Sequence, residues 1–171
     1  MFQDEARFGR INSVRRCWVR NKRPVVYSQI VREYTYVYNA VCPFDGSMDS
    51  MIIPCVNSEM MSIFLEEISK RRSDKHVIMF ADQASWHTSD LVKIPENVSL
   101  LPITAYSPQL NPAENIWHEL REKWFYNLYF DSLTDVESKL MEALSTLEND
   151  AERVKSNTSF DWIITPFSIA C

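Results

Sequence analysis

Apolar residues rich in Tyr, Val and Ile alternate or run together over residues 16–19, 34–42 and 47–53, with turn formers between them at 21–24 and 43–46. That pattern predicts hairpin strands. After Asn57 or Ser58 as a cap, Met60, Met61, Phe64, Leu65 and Ile68 recur at helical spacing to about Arg72, the stripe of an amphipathic helix. Residues 77–81 and 98–103 are short continuous apolar runs, which predict strands buried on both faces. Pro108 and Pro112 stiffen the loop that follows. Asn111 can cap the next helix while Pro112 fills its first position, where a missing N–H costs nothing. That helix turns Ile116, Trp117, Leu120 and Trp124 toward the core, and a last one, over 133–147, uses Val136, Leu140, Ala143, Leu144 and Leu147. Strands first, then helix–strand–helix alternation, predicts an α/β fold: a mixed sheet covered by helices.

The candidate chemistry sits at the ends of these elements. Asp82 follows the run Val77-Ile78-Met79-Phe80-Ala81, near enough to the interior to need a partner for its charge. Glu114 opens a helix, where a capping box with Asn111 is the competing role. Phe2-Gln3-Asp4-Glu5 again leads an apolar residue into acid, and strand alternation sends Asp4 and Glu5 to opposite faces, so only one reaches a shared site. Three carboxylates from separate elements suit a pair of magnesium ions, since hard cations take oxygen ligands and two of them can clamp both oxygens of a phosphoryl transfer.

The block Asp82-Gln83-Ala84-Ser85-Trp86-His87 and the twelve residues Tyr106-Ser107-Pro108-Gln109-Leu110-Asn111-Pro112-Ala113-Glu114-Asn115-Ile116-Trp117, together with Asp4-Glu5, resemble the catalytic domain of mariner-superfamily transposases of the bacterial insertion-sequence branch. The blocks occur in the family's order and cover about residues 1–130. The resemblance implies a ribonuclease H-like fold with a mixed five-stranded sheet. It also implies a catalytic and metal-binding triad of Asp4, Asp82 and Glu114 holding two Mg²⁺ or Mn²⁺ ions, and an activity that cuts transposon ends and joins them to target DNA. His87 and Arg121 are then candidate contacts to DNA phosphate, and Glu5 and His118 candidate supports beside the ligands. A homodimer and a separate DNA-recognition subunit are candidate partners, and the expected compartment is the cytoplasm of a prokaryotic cell, at the nucleoid. Two departures bear on geometry: the interval between Asp82 and Glu114 is 31 residues, a little short for the family, and Gln83 stands where Asn is common. The competing readings are a ribonuclease H-like nuclease without strand transfer and an inactive remnant that only binds or folds.

Composition narrows this further. At 171 residues with 46% apolar and 12% aromatic content, the chain suits one packed catalytic domain, with a helical extension over about 131–171. The helix-turn-helix region of the family's DNA-end readers has no counterpart in the pattern. Two glycines argue against a nucleotide-cradling loop, and neither a membrane span nor a signal peptide is apparent. Cys17, Cys42, Cys55 and Cys171 lack the close pairing of a zinc site. The net charge of −5 is unfavourable for DNA, but it is unevenly spread. Residues 1–32 hold eight Lys and Arg, Arg15 and Arg16 among them, against two acids; residues 131–152 hold seven acids against Lys139. The basic end, beside Asp4, is the expected DNA surface.

Overall fold

The computed structural model describes residues 1–18, 20, 25–84 and 91–168, with side chains to residue 165. Strand β1 (Phe2–Ile11) lies at the centre of a five-stranded sheet. It pairs antiparallel with β2 (Ile30–Val41), which pairs antiparallel with β3 (Met48–Ile53). On its other side β1 runs parallel to β4 (Val77–Ala81), and β4 parallel to β5 (Val98–Pro102), giving the order β3-β2-β1-β4-β5. This is the mixed five-stranded sheet expected of a ribonuclease H-like fold.

The central strand is longer than the sequence pattern suggested. Phe2, Ala6 and Phe8 are buried on one face, but Asp4 interrupts their period and Gln3, Glu5 and Arg7 occupy the other, so the alternation is masked by charge. Asp4 therefore lies within a strand of ten residues and not at its tip. Conversely, the expected strand at 16–19 is absent among the described residues. Positions 16–18 are exposed and unpaired with any strand.

Helix α1 (Ser58–Arg71) covers one face, with Met61, Phe64, Leu65 and Ile68 packed on Tyr38, Ala40, Val77 and Met79. Its cap is Asn57, whose side-chain oxygen accepts from Met60 N at 2.8 Å. The opposite face carries α2 (Glu114–Leu120), α3 (Leu133–Glu148), α4 (Ala151–Thr158) and α5 (Asp161–Ser168). Ser132 and Asp135 close a reciprocal capping box at the start of α3, whose stripe Val136, Leu140, Ala143, Leu144 and Leu147 is buried against β1, β2 and β3. At about 1.5–3 kcal/mol per large buried side chain, this stripe is a main source of cohesion. Because α3 lies over β1 to β3, it leaves the outer half of that face open. Ile78 is 50% exposed and Phe80 half-buried against Phe2, so the second face of β4 is covered only in part, contrary to the expectation from its apolar run. No helix among the described residues is long and apolar enough to cross a membrane.

The β2–β3 connection shows how tightly the C-terminal helices fit. Gly46 has φ +73°, and its N–H donates to Cys42 O at 2.9 Å. A Cβ at this position would run into the Ala151 carbonyl at the start of α4. Gly46→Ala therefore combines backbone strain with a clash against main chain and should cost about 2–4 kcal/mol in urea unfolding. A loss below about 0.5 kcal/mol, the scale of ordinary surface substitutions, would show that this contact is not maintained.

Candidate active site

Three features of the local sequence bring the acids together. Asp4 points from β1 to the face covered by α2, since alternation places it with Phe2, Ala6 and Phe8. Asp82 follows the last residue of β4, whose alignment beside β1 is set where Phe2 meets Phe80 and Phe80 N donates to Met1 O. Its Oδ1 accepts from Ala84 N at 3.0 Å, an Asx turn that holds the carboxylate at the strand tip. The tip is exposed, so the burial expected for Asp82 from its apolar approach is not found: the strand ends where solvent begins. Gln83 donates through Nε2 to Ile103 O at 2.9 Å, tying the ends of β4 and β5 together.

Glu114 is delivered by the proline-stiffened loop. Pro108–Leu110 forms a short 3₁₀ turn, and Ile103 N to Ala81 O (2.7 Å) and Asn111 N to Pro108 O (2.9 Å) fix its two ends. The Asn111 N–H is thus used within the loop, and the reciprocal capping box with Glu114 is not formed. Asn111 Oδ1 accepts from Ala113 N at 3.1 Å, while its Nδ2 donates to Gln3 O at 2.9 Å, pinning the loop to β1 beside Asp4. Tyr106, with φ +57°, stands exposed on the rim in a conformation uncommon for a bulky residue.

Asp4, Asp82 and Glu114 line one cleft of about 510 Å³, with Gln83, Tyr106 and Asn111 in its walls. A larger apolar groove of about 780 Å³ adjoins it at Ile103 and Thr104, but is walled by Phe44, Ile78, Leu101 and Trp162 and contains none of the three acids. Asp4 is 9% exposed, and burial, then the charge of Glu114, push its carboxyl up to about 7; the bond from the Trp117 indole works in the opposite direction. No Lys, Arg or His lines the cleft among the described residues. The three carboxylates offer hard oxygen donors, which fit divalent magnesium or manganese. Among the described residues, no three His, Cys, Asp or Glu side chains are gathered tightly enough to hold an ion unaided.

The other expected site residues lie elsewhere. Glu5 is on the face of β1 opposite Asp4, in register with Tyr38. His118 is exposed one turn beyond Glu114 on α2. Arg121 begins a π-helical turn (Arg121–Phe125) and sets its guanidinium over Phe8, 5.4 Å from the ring centroid, in a separate small crevice. Arg15 pairs with Glu122 at 2.7 Å and lies over the Tyr126 ring, while Arg16 is exposed beside it. His87 lies outside the described residues. Two residues that sequence reasoning assigned only to cap and core, Asn111 and Trp117, make buried bonds to β1.

The sheet is ribonuclease H-like, and the cleft where β1 meets β4 is acidic, with no Lys, Arg or His in its lining among the described residues. The family model for DDE superfamily endonucleases matches residues 1–137, and the chain belongs to that family. It is 31% identical over 130 residues to the uncharacterized protein y4pE/y4sA of Sinorhizobium fredii (strain NBRC 101917 / NGR234), covering 75% of this chain and 96% of that protein. Its fold is similar to the Mos1 mariner paired-end complex with Mn (TM-score 0.64, 18% identity, 94% of this chain and 53% of that one). It is also similar to the Mos1 strand transfer complex (0.61, 19%, 93% and 54%) and to the catalytic domain of Mos1 mariner transposase (0.54, 17%, 91% and 76%). The chain spans little more than half of the Mos1 chains in those two complexes.

The raised pKa of Asp4 has a definite sign in stability. Between the unfolded value near 3.8 and the folded value of about 7, the native state binds more protons than the unfolded chain, so stability is fullest at low pH and falls as pH rises through that window. At about 1.36 kcal/mol per unit, the full effect is roughly 4 kcal/mol. In chelator, the urea midpoint should drop between pH 5 and 8 in the wild type, with a clearly smaller drop in Asp4→Asn. Equal drops in both would show that Asp4 is not the titrating group.

Proposed function

We propose that the chain is the catalytic domain of a DNA transposase that cuts transposon ends and joins them to target DNA, using Asp4, Asp82 and Glu114 to hold two Mg²⁺ or Mn²⁺ ions. The observation that carries this reading is that three acids, from β1, the tip of β4 and the first turn of α2, line one cleft in which no Lys, Arg or His is found among the described residues. Membership of the endonuclease family and the fold shared with the Mos1 complexes support it. When bound, the ions would neutralise phosphate charge and stabilise the attacking and departing oxygens of an in-line displacement. The protein's share is positional. Asp4 would supply a carboxylate whose burial makes a cation the favourable partner for its charge, Asp82 an exposed one at the strand tip, and Glu114 one fixed by a helix start. Pro108 and Pro112 restrict the loop between them, so little ordering remains to be done when substrate arrives.

The exposed arginines of the N-terminal third offer a phosphate-binding surface, although Arg15 must exchange Glu122 for DNA to take part.

Mn²⁺ should raise the thermal midpoint. At a hundredfold excess over Kd the gain is about 2.7 kcal/mol, and roughly 5–10 °C for a domain of this size. Asp82→Asn and Glu114→Gln should abolish most of that shift. A shift of the same size in both variants would remove the triad assignment. For the reaction, a helix-turn-helix region fused to the chain should permit joining of a pre-cut end to target DNA. Products that are only hydrolysed would favour the nuclease reading.

A further inference from the structure

One turn beyond Glu114, helix α2 carries Trp117, whose indole Nε1–H donates to Asp4 Oδ2 at 2.9 Å in the protein interior. The indole is 1% exposed and is held edge-on against Phe8, with ring centroids 6.2 Å apart. Its neighbours in the core are apolar. We infer that Trp117 is a positioning residue of the site: it fixes the orientation of the Asp4 carboxylate by occupying Oδ2, leaving Oδ1 for a divalent cation in the cleft. The inference rests on the reading of Asp4 as a metal ligand.

The chemistry of the indole suits this task. Its N–H is a donor only, so it can engage the carboxylate but cannot accept a proton from it. It is also neutral. A Lys or Arg at this position would hold Asp4 equally well but would cancel the charge that attracts the cation. Packing on Phe8 immobilises the ring, so the bond constrains Asp4 and not the reverse. Partners that orient metal ligands from outside the coordination sphere typically contribute about 10–100-fold to metal affinity.

The same helix is registered on β1 a second time. Asn111 Nδ2 donates to Gln3 O at 2.9 Å, next to Asp4, and Asn111 Oδ1 receives Ala113 N. Glu114 lies midway between these two anchors. The spacing Asn111-x-x-Glu114-x-x-Trp117 thus has a physical reason: anchor, ligand and orienting donor follow one another at turn intervals, and the separation of Glu114 from Asp4 is fixed by bonds at both ends.

The test is to replace Trp117 with 3-benzothienylalanine, which keeps the ring shape and substitutes sulfur for the N–H, alongside Trp117→Phe. Mn²⁺ affinity is read from the electron paramagnetic resonance signal of free Mn²⁺, and folding from the urea midpoint. The isostere should bind Mn²⁺ about 10–100-fold more weakly while remaining folded, and the loss should vanish in an Asp4→Ala background. In ¹⁵N spectra, the wild-type indole N–H of Trp117 should be protected from exchange, and Asp4→Ala should shift and expose it. Unchanged Mn²⁺ affinity in the isostere overturns the role, as does an equal loss with and without Asp4. Wild-type protein with no Mn²⁺ site dependent on Asp4, Asp82 and Glu114 removes the metal reading and this role together. Tight wild-type binding with an indifferent isostere removes this role alone.

Discussion

Asp4 sits inside a sheet whose neighbouring positions on that face are Phe2, Ala6 and Phe8, and an unpartnered charge in such surroundings would cost several kcal/mol. The fold answers with neutral hydrogen bonds from the Trp117 indole and the Glu5 backbone, and no Lys, Arg or His lines the cleft among the described residues. The arrangement satisfies geometry while leaving charge uncompensated, and the closeness of Glu114 makes the shortage worse. The surrounding structure must supply the deficit through packing. The α3 stripe, the Phe8–Phe125–Phe130 aromatic group and the stitched loop before α2 are the elements that do so. Burying this carboxylate gives up stability locally, which is recovered in the layers around it.

The two faces of the sheet divide the labour. Helix α1 and its partners form a conventional apolar layer around Met61, Phe64 and Leu65. The other face carries the acids, and its helices are laced by polar contacts: Glu148 accepts from Ser50 N at 2.8 Å, and Glu119 accepts from Arg153 Nε at 2.7 Å. Arg153 also lies over Trp124, just beyond the point where α2 passes into its π turn. That turn shifts the helical register after Leu120, which is why Trp124 is half-buried while Trp117 is enclosed.

Much of the architecture was legible in the chain because burial and period agreed. Helix α1 begins at its Asn57 cap, β4 occupies Val77–Ala81, and α3 uses the stripe expected of it. Strand β1 was hidden because an acid, Asp4, occupies one of its inward positions and breaks the apolar alternation. Asp82 stood out because it follows an apolar run; Glu114, opening a helix after a stiff loop, suited a cap equally well and was singled out by the resemblance of the block around it. The bonds from Trp117 and Asn111 could not be read in advance. An indole in an apolar stripe looks like core whatever its N–H meets, and its partner lies 113 residues away in the sequence. The partial cover on the second face of β4 was likewise beyond local pattern, since it depends on where α3 comes to rest.

Because α2 is registered on β1 by Asn111 and Trp117, the dimensions of the cleft do not depend on how many residues separate the acids along the chain. The bonds from Gln83 and Ile103 likewise hold the tips of β4 and β5 together regardless of what joins them. The connecting stretch can therefore gain or lose residues over evolutionary time without moving either carboxylate. The 31-residue interval, short for the resemblance it accompanies, is a difference in tether length between two points that are already fixed.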